Sequence, residues 1–223
     1  MKLNPPILII NLKEYEEVLG DRPLDFAIAA KKLSEKHDVT ILIAPPAPLI
    51  DNIAKITLTI SQHIDPYEPG AHTGALLAKE VKELGGIGSL INHSEKRIPH
   101  EDIKRCVGLC KKYDLVSVVC AKDNEEVKEL AKLKPDFIAI EPPELIGGNI
   151  SVSTAKPEII KRSVNDVEEI SPHTKVLCGA GIKKREDVKR AIVLGTSGVI
   201  LASGVVKAEN IEEAIEELIT GML

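Results

Sequence analysis

The sequence predicts an α/β protein folded as a single closed (β/α)8 barrel, and three observations support this prediction. Short apolar runs rich in Ile and Val recur along all 223 residues. They lack the alternation of half-exposed strands, which is typical of parallel strands covered on both faces. Helix-like segments separate the runs, and polar residues follow directly after several of them. The eight runs lie at 7–10, 39–44, 56–61, 87–92, 115–120, 137–140, 175–178 and 198–202.

The segments between the runs carry the apolar spacing of amphipathic helices. In the last segment, Ile211, Ala214, Ile215 and Leu218 fall at positions i, i+3, i+4 and i+7, with Glu and Asn on the other face. Asp123 is a predicted helix N-cap. The pattern predicts helices at 22–36, 46–55, 75–84, 100–112, 123–132, 155–169, 184–194 and 209–220.

Eight strand–helix units in a chain of this length fit one closed barrel, because such barrels commonly run to about 200–250 residues. An open, doubly wound sheet is the alternative, usually with fewer strands and often with a glycine-rich turn after the first. Here the first strand leads into Asn11-Leu12-Lys13 instead. No linker rich in Pro, Gly or Ser divides the chain, so we expect one domain over residues 1–223.

Composition excludes several classes of partner. The net charge of -5 and the pI near 5.8 argue against binding nucleic acid or an anionic membrane. No stretch approaches the roughly 18 apolar residues of a membrane span, and the first apolar run is too short for a signal peptide. Cys106, Cys110, Cys120 and Cys178 lack the spacing of a zinc site. We therefore expect buried thiols in a cytoplasmic protein and no metal.

Polar residues cluster where the predicted strands end, which is where barrel enzymes place their chemistry. Asn11 and Lys13 follow the first strand, His93 and Glu95 the fourth, and Glu141 the sixth. Glycine-rich turns follow strands seven and eight, at 179–181 and 202–204. A base, an imidazole, a cation and two anion-binding turns on one rim suit proton abstraction beside the carbonyl of a phosphorylated substrate.

These motifs, in this order along the whole chain, resemble the triosephosphate isomerase family. The likeness rests on Asn11-Leu12-Lys13, His93-Ser94-Glu95, Glu141-Pro142 with Ile146-Gly147, and the two late glycine-rich turns. The short chain and the segment at 141–147 are similar to the compact archaeal branch of the family. The resemblance implies interconversion of D-glyceraldehyde 3-phosphate and dihydroxyacetone phosphate through an enediolate, without a metal or an organic cofactor.

The resemblance also implies the roles of the residues that surround the reacting atoms. Glu141 is the expected general base, with a pKa raised by desolvation under a lid. His93 is expected to donate a hydrogen bond to the enediolate oxygen, kept neutral by the helix predicted to start at residue 100. Lys13 supplies positive charge for the transition state. Asn11 orients Lys13 or the oxyanion, and Glu95 is the ion-pair partner of Lys13.

The phosphate is expected on backbone N–H groups of small residues, with a short helix after strand eight adding its dipole. Residues 142–154 form the expected lid. The lid departs from the family pattern, because Gly148-Asn149 replaces the usual Thr-Gly, which puts its closed-state hydrogen bonds in doubt. The predicted phosphate contacts are Gly147, Gly179, Ala180, Gly181, Ala202 and Ser203.

The loop at 70–74 resembles the family's intersubunit loop and predicts a homo-oligomer, either a dimer or a tetramer, with Thr73 at the interface. Three alternatives stay open. Lys13 could form a Schiff base as in class I aldolases, although a paired Glu95 argues against this. The chain could be another phosphate-binding barrel enzyme, or a catalytically dead barrel retained as a binding scaffold.

Overall fold

Eight parallel strands form a barrel in the computed structural model, which describes residues 3–145 and 151–223. The neighbour order is β2-β1-β8-β7-β6-β5-β4-β3. A parallel bridge between Ile43 and Thr59 joins β2 to β3 and closes the ring. The predicted fold class is confirmed. The strands are β1 (Ile7–Asn11), β2 (Thr40–Ala44), β3 (Ile60–Ser61), β4 (Gly88–Ile91), β5 (Val116–Ala121), β6 (Phe137–Ile140), β7 (Lys175–Cys178) and β8 (Gly198–Leu201).

Helices cover the outside of the barrel between successive strands. Asp123 caps its helix as expected, because its Oδ1 accepts a hydrogen bond from the Glu126 N–H at 2.8 Å. No helix of the described residues is long and apolar enough to cross a bilayer. The helices are α1 (Pro23–His37), α2 (Ile50–Ala54), α3 (Ala78–Glu83), α4 (His100–Lys112), α5 (Asn124–Ala131), α6 (Val152–Ala155), α7 (Pro157–Ile170), α8 (Arg185–Val193), α9 (Ser203–Val206) and α10 (Ile211–Thr220).

Several predicted boundaries were wrong, and two of the differences have a clear physical cause. The strand expected at 56–61 is only Ile60–Ser61, because the N–H groups of residues 56 and 57 still bond back to the Ile53 carbonyl at the end of α2. The helix expected at 155–169 is two helices, α6 and α7. Pro157 starts α7, and the preceding Lys156 takes φ -143° and ψ 59°, outside the helical region that a following proline disfavours.

The core has two layers, set by the alternation of side chains along each strand. In β1, Ile7 and Ile9 point into the barrel, whereas Leu8 and Ile10 pack outward against the helices. Both layers are mainly aliphatic, as the scarcity of aromatic residues predicts. This packing fixes the carboxyl ends of the strands, and the polar residues that follow them, on one rim.

Candidate active site

The residues that follow the strands surround one cavity at the carboxyl end of the barrel. Asn11 is the last residue of β1, and Glu141 comes directly after β6. The structure thus brings together most of the predicted site on one rim. The cavity is lined by Asn11, Lys13, Tyr15, His93, Glu141, Gly179, Gly181, Ile182, Lys183, Ile200, Leu201, Ala202 and Ser203.

Glu141 is buried, and one oxygen of its carboxylate has no hydrogen-bond partner among the described residues. Its backbone N–H donates to the Ala121 carbonyl at 2.8 Å, which fixes the residue beside β5. Oε2 is the unpartnered oxygen and lies 3.8 Å from His93 Nε2. Burial raises the pKa of the Glu141 carboxyl, while His93, the Cys120 thiol and Lys13 pull it back down. Glu141 is therefore a desolvated carboxylate with a free lone pair facing the cavity.

His93 is oriented by the backbone of its own turn. The Glu95 N–H donates to His93 Nδ1 at 3.2 Å, so this nitrogen is the acceptor in the ring. In the neutral ring the proton then sits on Nε2, the nitrogen that faces Glu141. The sequence predicted that the N-terminus of the helix starting at residue 100 would keep His93 neutral, and α4 starts at His100. The orienting contact comes from the Glu95 N–H, because the chain turns directly after His93.

Lys13 is held in an uncommon backbone conformation, with φ at 52°. Its N–H donates to Asn11 Oδ1 at 3.0 Å, and its carbonyl accepts from Gln62 Nε2 at 3.0 Å. Its Nζ lies 2.7 Å from Glu95 Oε1. Glu95 thus contacts both Lys13 and His93, although it lines a neighbouring cavity and not the cavity that Glu141 lines.

The predicted phosphate residues do not all face the cavity. Gly181, Ala202 and Ser203 line it, and α9 starts at Ser203 as the expected short helix. Ala180 is buried and its carbonyl accepts the Val152 N–H at 3.0 Å. The structure therefore places Ala180 off the cavity wall, as a contact between the β7 turn and α6. Gly147, Gly148 and Asn149 lie outside the described residues.

Gly179 lines the cavity but is packed against the predicted base. A Cβ added to Gly179 would lie 2.6 Å from Glu141 Cγ and 2.9 Å from Glu141 Oε1. Contacts that close do not occur, so any side chain here would displace the Glu141 carboxylate. Glycine at this position therefore makes room for Glu141.

Four further residues complete the site, and sequence reasoning missed them. Gln62 directly follows an apolar run, so the strand-end rule could have found it. The Tyr15 ring lies between Lys13 Nζ at 5.9 Å and Lys207 Nζ at 4.7 Å. Cys120 contacts Glu141, and the side chain of Asn92 braces the turn that carries His93.

No group of three His, Cys, Asp or Glu side chains in the described part of the chain could hold a metal ion. Cys106, Cys110, Cys120 and Cys178 are free and buried. Burial raises the pKa of the Cys106 and Cys178 thiols to about 12, so both are protonated and unreactive at neutral pH.

Comparison with known proteins agrees with this geometry. A family model described as triosephosphate isomerase matches residues 6–218. The chain belongs to the triosephosphate isomerase family. It is 49% identical over 215 residues to the triosephosphate isomerase of Methanocaldococcus jannaschii, covering 96% of this chain and 98% of that protein. It is 45% identical to that of Methanothermus fervidus, covering 99% of this chain and 100% of that protein. The family, its archaeal branch and the isomerase class expected from the sequence are confirmed.

Proposed function

We propose that this chain interconverts D-glyceraldehyde 3-phosphate and dihydroxyacetone phosphate, a step shared by glycolysis and gluconeogenesis. The observation that carries the proposal is the unpartnered Glu141 Oε2, buried in a cavity and 3.8 Å from His93 Nε2. A buried carboxylate oxygen with no partner costs free energy. Its persistence is explained if a substrate C–H group occupies the space in front of it.

Glu141 acts as the general base of the proposed reaction. It removes a proton from the carbon beside the carbonyl, and the electron pair of that C–H bond forms the C=C bond of an enediolate. The carbonyl π electrons move onto oxygen. Glu141 then returns the proton to the former carbonyl carbon. The hydroxyl of the first carbon becomes the new carbonyl, and its proton passes to the oxygen of the former carbonyl, so no net redox change occurs. Burial raises the pKa of Glu141, which makes its carboxylate a stronger base for this transfer.

The negative charge on the substrate oxygen is stabilised by two groups of the rim. The Nε2–H of His93 donates a hydrogen bond to it, since Nδ1 already accepts from the Glu95 amide. The Lys13 ammonium adds positive charge at close range, and Asn11 and Glu95 hold Lys13 in place. Lys13 is part of an ion pair, which favours an electrostatic role over Schiff-base chemistry.

The substrate phosphate binds to backbone N–H groups on the far side of the cavity. Gly181, Ala202 and Ser203 line that side, and small residues let an anion approach the main chain. Gly147 and the lid at 142–154 complete the enclosure in this proposal, with residues 146–150 outside the described part. A closed lid would exclude water from the enediolate.

A coupled isomerase assay on glyceraldehyde 3-phosphate tests the activity, using wild type, Glu141→Gln and Lys13→Ala. Glu141→Gln removes the base without changing its shape, and we expect kcat to fall by at least about 10²–10⁴-fold. Glu129→Gln is the matched control. Glu129 is exposed on α5 and pairs with Lys132, so we expect wild-type activity.

Two results would contradict the proposal. An inactive wild type would favour a scaffold that has lost catalysis. Near-full activity in Glu141→Gln would assign the base to another residue.

We further propose that the chain works as a homo-oligomer, with the loop at 67–74 inserting into a second copy. These residues are all exposed, and the rings of Tyr67 and His72 stack with centroids 4.2 Å apart. The base of the loop is closed by the Asp65 N–H bonding to the Leu76 carbonyl at 2.8 Å. A cavity of about 440 Å³ beside Lys13 and Glu95 is the proposed receiving site.

Light scattering tests the oligomer. We expect wild type to have a mass that is a multiple of the chain mass and Thr73→Arg to have a lower one, because a charged side chain at the tip obstructs insertion. An unchanged mass in Thr73→Arg removes Thr73 from the interface.

We also propose a cytoplasmic location and one domain over residues 1–223, supported by four free buried thiols and a continuous barrel.

A further inference from the structure

The turn that presents His93 depends on the buried residue before it. Asn92 is 1% exposed and has φ at 64°, in the left-handed region. Most side chains avoid this region, whereas glycine and asparagine adopt it with little strain. The left-handed residue ends β4 and turns the chain, so that His93 faces Glu141 instead of continuing the strand.

The Asn92 side chain makes two hydrogen bonds that glycine could not make. Its Nδ2 donates to the Cys120 carbonyl at 3.0 Å, near the end of β5. Its Oδ1 accepts from the Ile98 N–H at 3.2 Å, on the far side of the His93 turn. One amide therefore ties the turn to the neighbouring strand and closes the turn on itself.

The strand β5, to which the Asn92 side chain is hydrogen-bonded, also contacts Glu141. The thiol of Cys120 lies beside the Glu141 carboxylate, and the carbonyl of Ala121 accepts the Glu141 N–H at 2.8 Å. Asn92 and Glu141 thus both form hydrogen bonds to residues of β5. A shift of the His93 turn relative to β5 would change the separation of His93 Nε2 and Glu141 Oε2 directly.

A second contact braces the same turn from outside. Arg97 Nη1 donates to the Asn92 carbonyl at 3.3 Å, and Arg97 Nη2 pairs with Glu126 on α5. Glu126 Oε2 in turn accepts the Lys122 N–H at 2.7 Å. Both the side chain and the carbonyl of Asn92 are therefore bonded to groups that follow β4 in the chain.

We propose that Asn92 is a positioning residue, whose side-chain amide sets His93 at the distance and orientation that Glu141 chemistry requires. The activity part of this proposal rests on the proposed function; the orientation part does not. If the residue only had to be left-handed, glycine would serve equally well. The need for a left-handed backbone conformation does not explain why the Asn92 side chain makes two hydrogen bonds.

Asn92→Gly keeps the backbone freedom and removes the amide, and Asn92→Asp keeps the acceptor for Ile98 but removes the donor to Cys120. Asp38→Gly is the matched control, because Asp38 is also left-handed, with φ at 53°, but lies exposed at the end of α1. We expect Asn92→Gly to lower kcat about 10- to 100-fold with KM within about threefold, since an ångström-scale misplacement costs rate more than binding. Asp38→Gly should match wild type.

The ¹⁵N spectrum of the His93 imidazole in the free protein gives a readout independent of activity. In wild type we expect an unprotonated Nδ1 and a protonated Nε2. In Asn92→Gly we expect a mixture of tautomers, because the turn that aims the Glu95 N–H at Nδ1 is no longer fixed. A purely structural contribution to stability would lower the melting temperature without changing this spectrum.

An Asn92→Gly variant with wild-type kcat, or with reduced kcat but an unchanged His93 spectrum, overturns the proposal. If Asn92→Gly does not fold, Asn92→Asp decides by the same two measurements. An inactive wild type would defeat the proposed function alone, and the His93 spectrum would still decide the role of Asn92.

Discussion

A buried and fully paired polar contact at the amino end of the barrel contrasts with buried unpaired atoms at the carboxyl end. At the amino end, the Ser117 hydroxyl donates to Asp136 Oδ2 at 2.8 Å and accepts from the Asp136 N–H at 3.0 Å. At the carboxyl end, Glu141 Oε2 and Ser94 Oγ are buried and have no hydrogen-bond partner among the described residues. Folding pairs Ser117 with Asp136 but leaves Glu141 Oε2 and Ser94 Oγ unpaired.

This difference separates what holds the molecule together from what it does. A buried polar group that is paired contributes to stability, whereas an unpaired one lowers it until something binds. Away from the carboxyl rim, the Thr196 hydroxyl and Asp166 Oδ2 also lack a hydrogen-bond partner among the described residues. The hydroxyl is neutral and costs less to bury than the Glu141 carboxylate, and Asp166 Oδ2 lies 3.9 Å from Lys128 Nζ. Substitutions at the two ends should therefore affect different measurements.

Gly179→Ala should have the largest effect. The new Cβ would lie 2.6 Å from Glu141 Cγ, so the carboxylate must move. We expect kcat to fall about 100-fold in steady-state kinetics, by the sensitivity of rate to placement. Gly108→Ala on α4 is the control, because no atom lies within 4 Å of the added Cβ and activity should be unchanged. Near-wild-type kcat in Gly179→Ala would show that the base tolerates displacement.

Ser117→Ala should change stability and leave catalysis intact. It removes one donor and one acceptor from the pair with Asp136, inside a fully buried strand. We expect a loss of about 1–3 kcal/mol in the free energy of urea unfolding, with kcat unchanged. Reduced kcat in the folded variant would mean that the two ends are coupled.

The pH dependence of stability should reveal the buried base. Burial raises the pKa of Glu141 in the folded state above its ordinary value of 4.5. Between 4.5 and the raised value the folded state binds more protons, so stability falls as pH rises through that window. Relative to Glu141→Gln, wild type should lose up to about 1.4 kcal/mol per pH unit there. If the difference in the free energy of urea unfolding between wild type and Glu141→Gln is the same at every pH, the raised pKa is contradicted.

Thr196→Val should have the smallest effect. Valine has the shape of threonine without the hydroxyl, and that hydroxyl has no partner to lose. We expect the free energy of unfolding to change by less than about 1 kcal/mol, in the stabilising direction. A loss as large as that of Ser117→Ala would show that Thr196 forms a hydrogen bond in solution.

The sequence predicted the barrel because each strand is covered on both faces and is therefore apolar throughout. It also predicted which side chains meet on the rim, since parallel strands bring their carboxyl ends together. Helix and strand limits were less predictable. Pro157 divides one expected helix, and the return of the chain from α2 shortens β3. The first depends on the restriction that a proline places on the residue before it, and the second on local hydrogen bonds that compete with the apolar pattern.

The finer geometry of the site depends on distances between separate elements. The space that Gly179 leaves for Glu141, and the contact of Cys120 with the same carboxylate, exist only once three strands have paired. The orientation of His93 depends on the turn that brings the Glu95 N–H to its Nδ1. Spacing along the chain carries no information about such contacts, so structure was required.

The uneven pairing of the strands divides the barrel into two curved segments. β2 meets β3 at the single Ile43–Thr59 bridge, and β7 meets β8 at the one registered pair Cys178–Val199. Lys13 extends from the segment formed by β8, β1 and β2, whereas Glu141 belongs to the segment from β3 to β7. The Lys13–Glu95 ion pair therefore connects the two segments across the rim of the cavity.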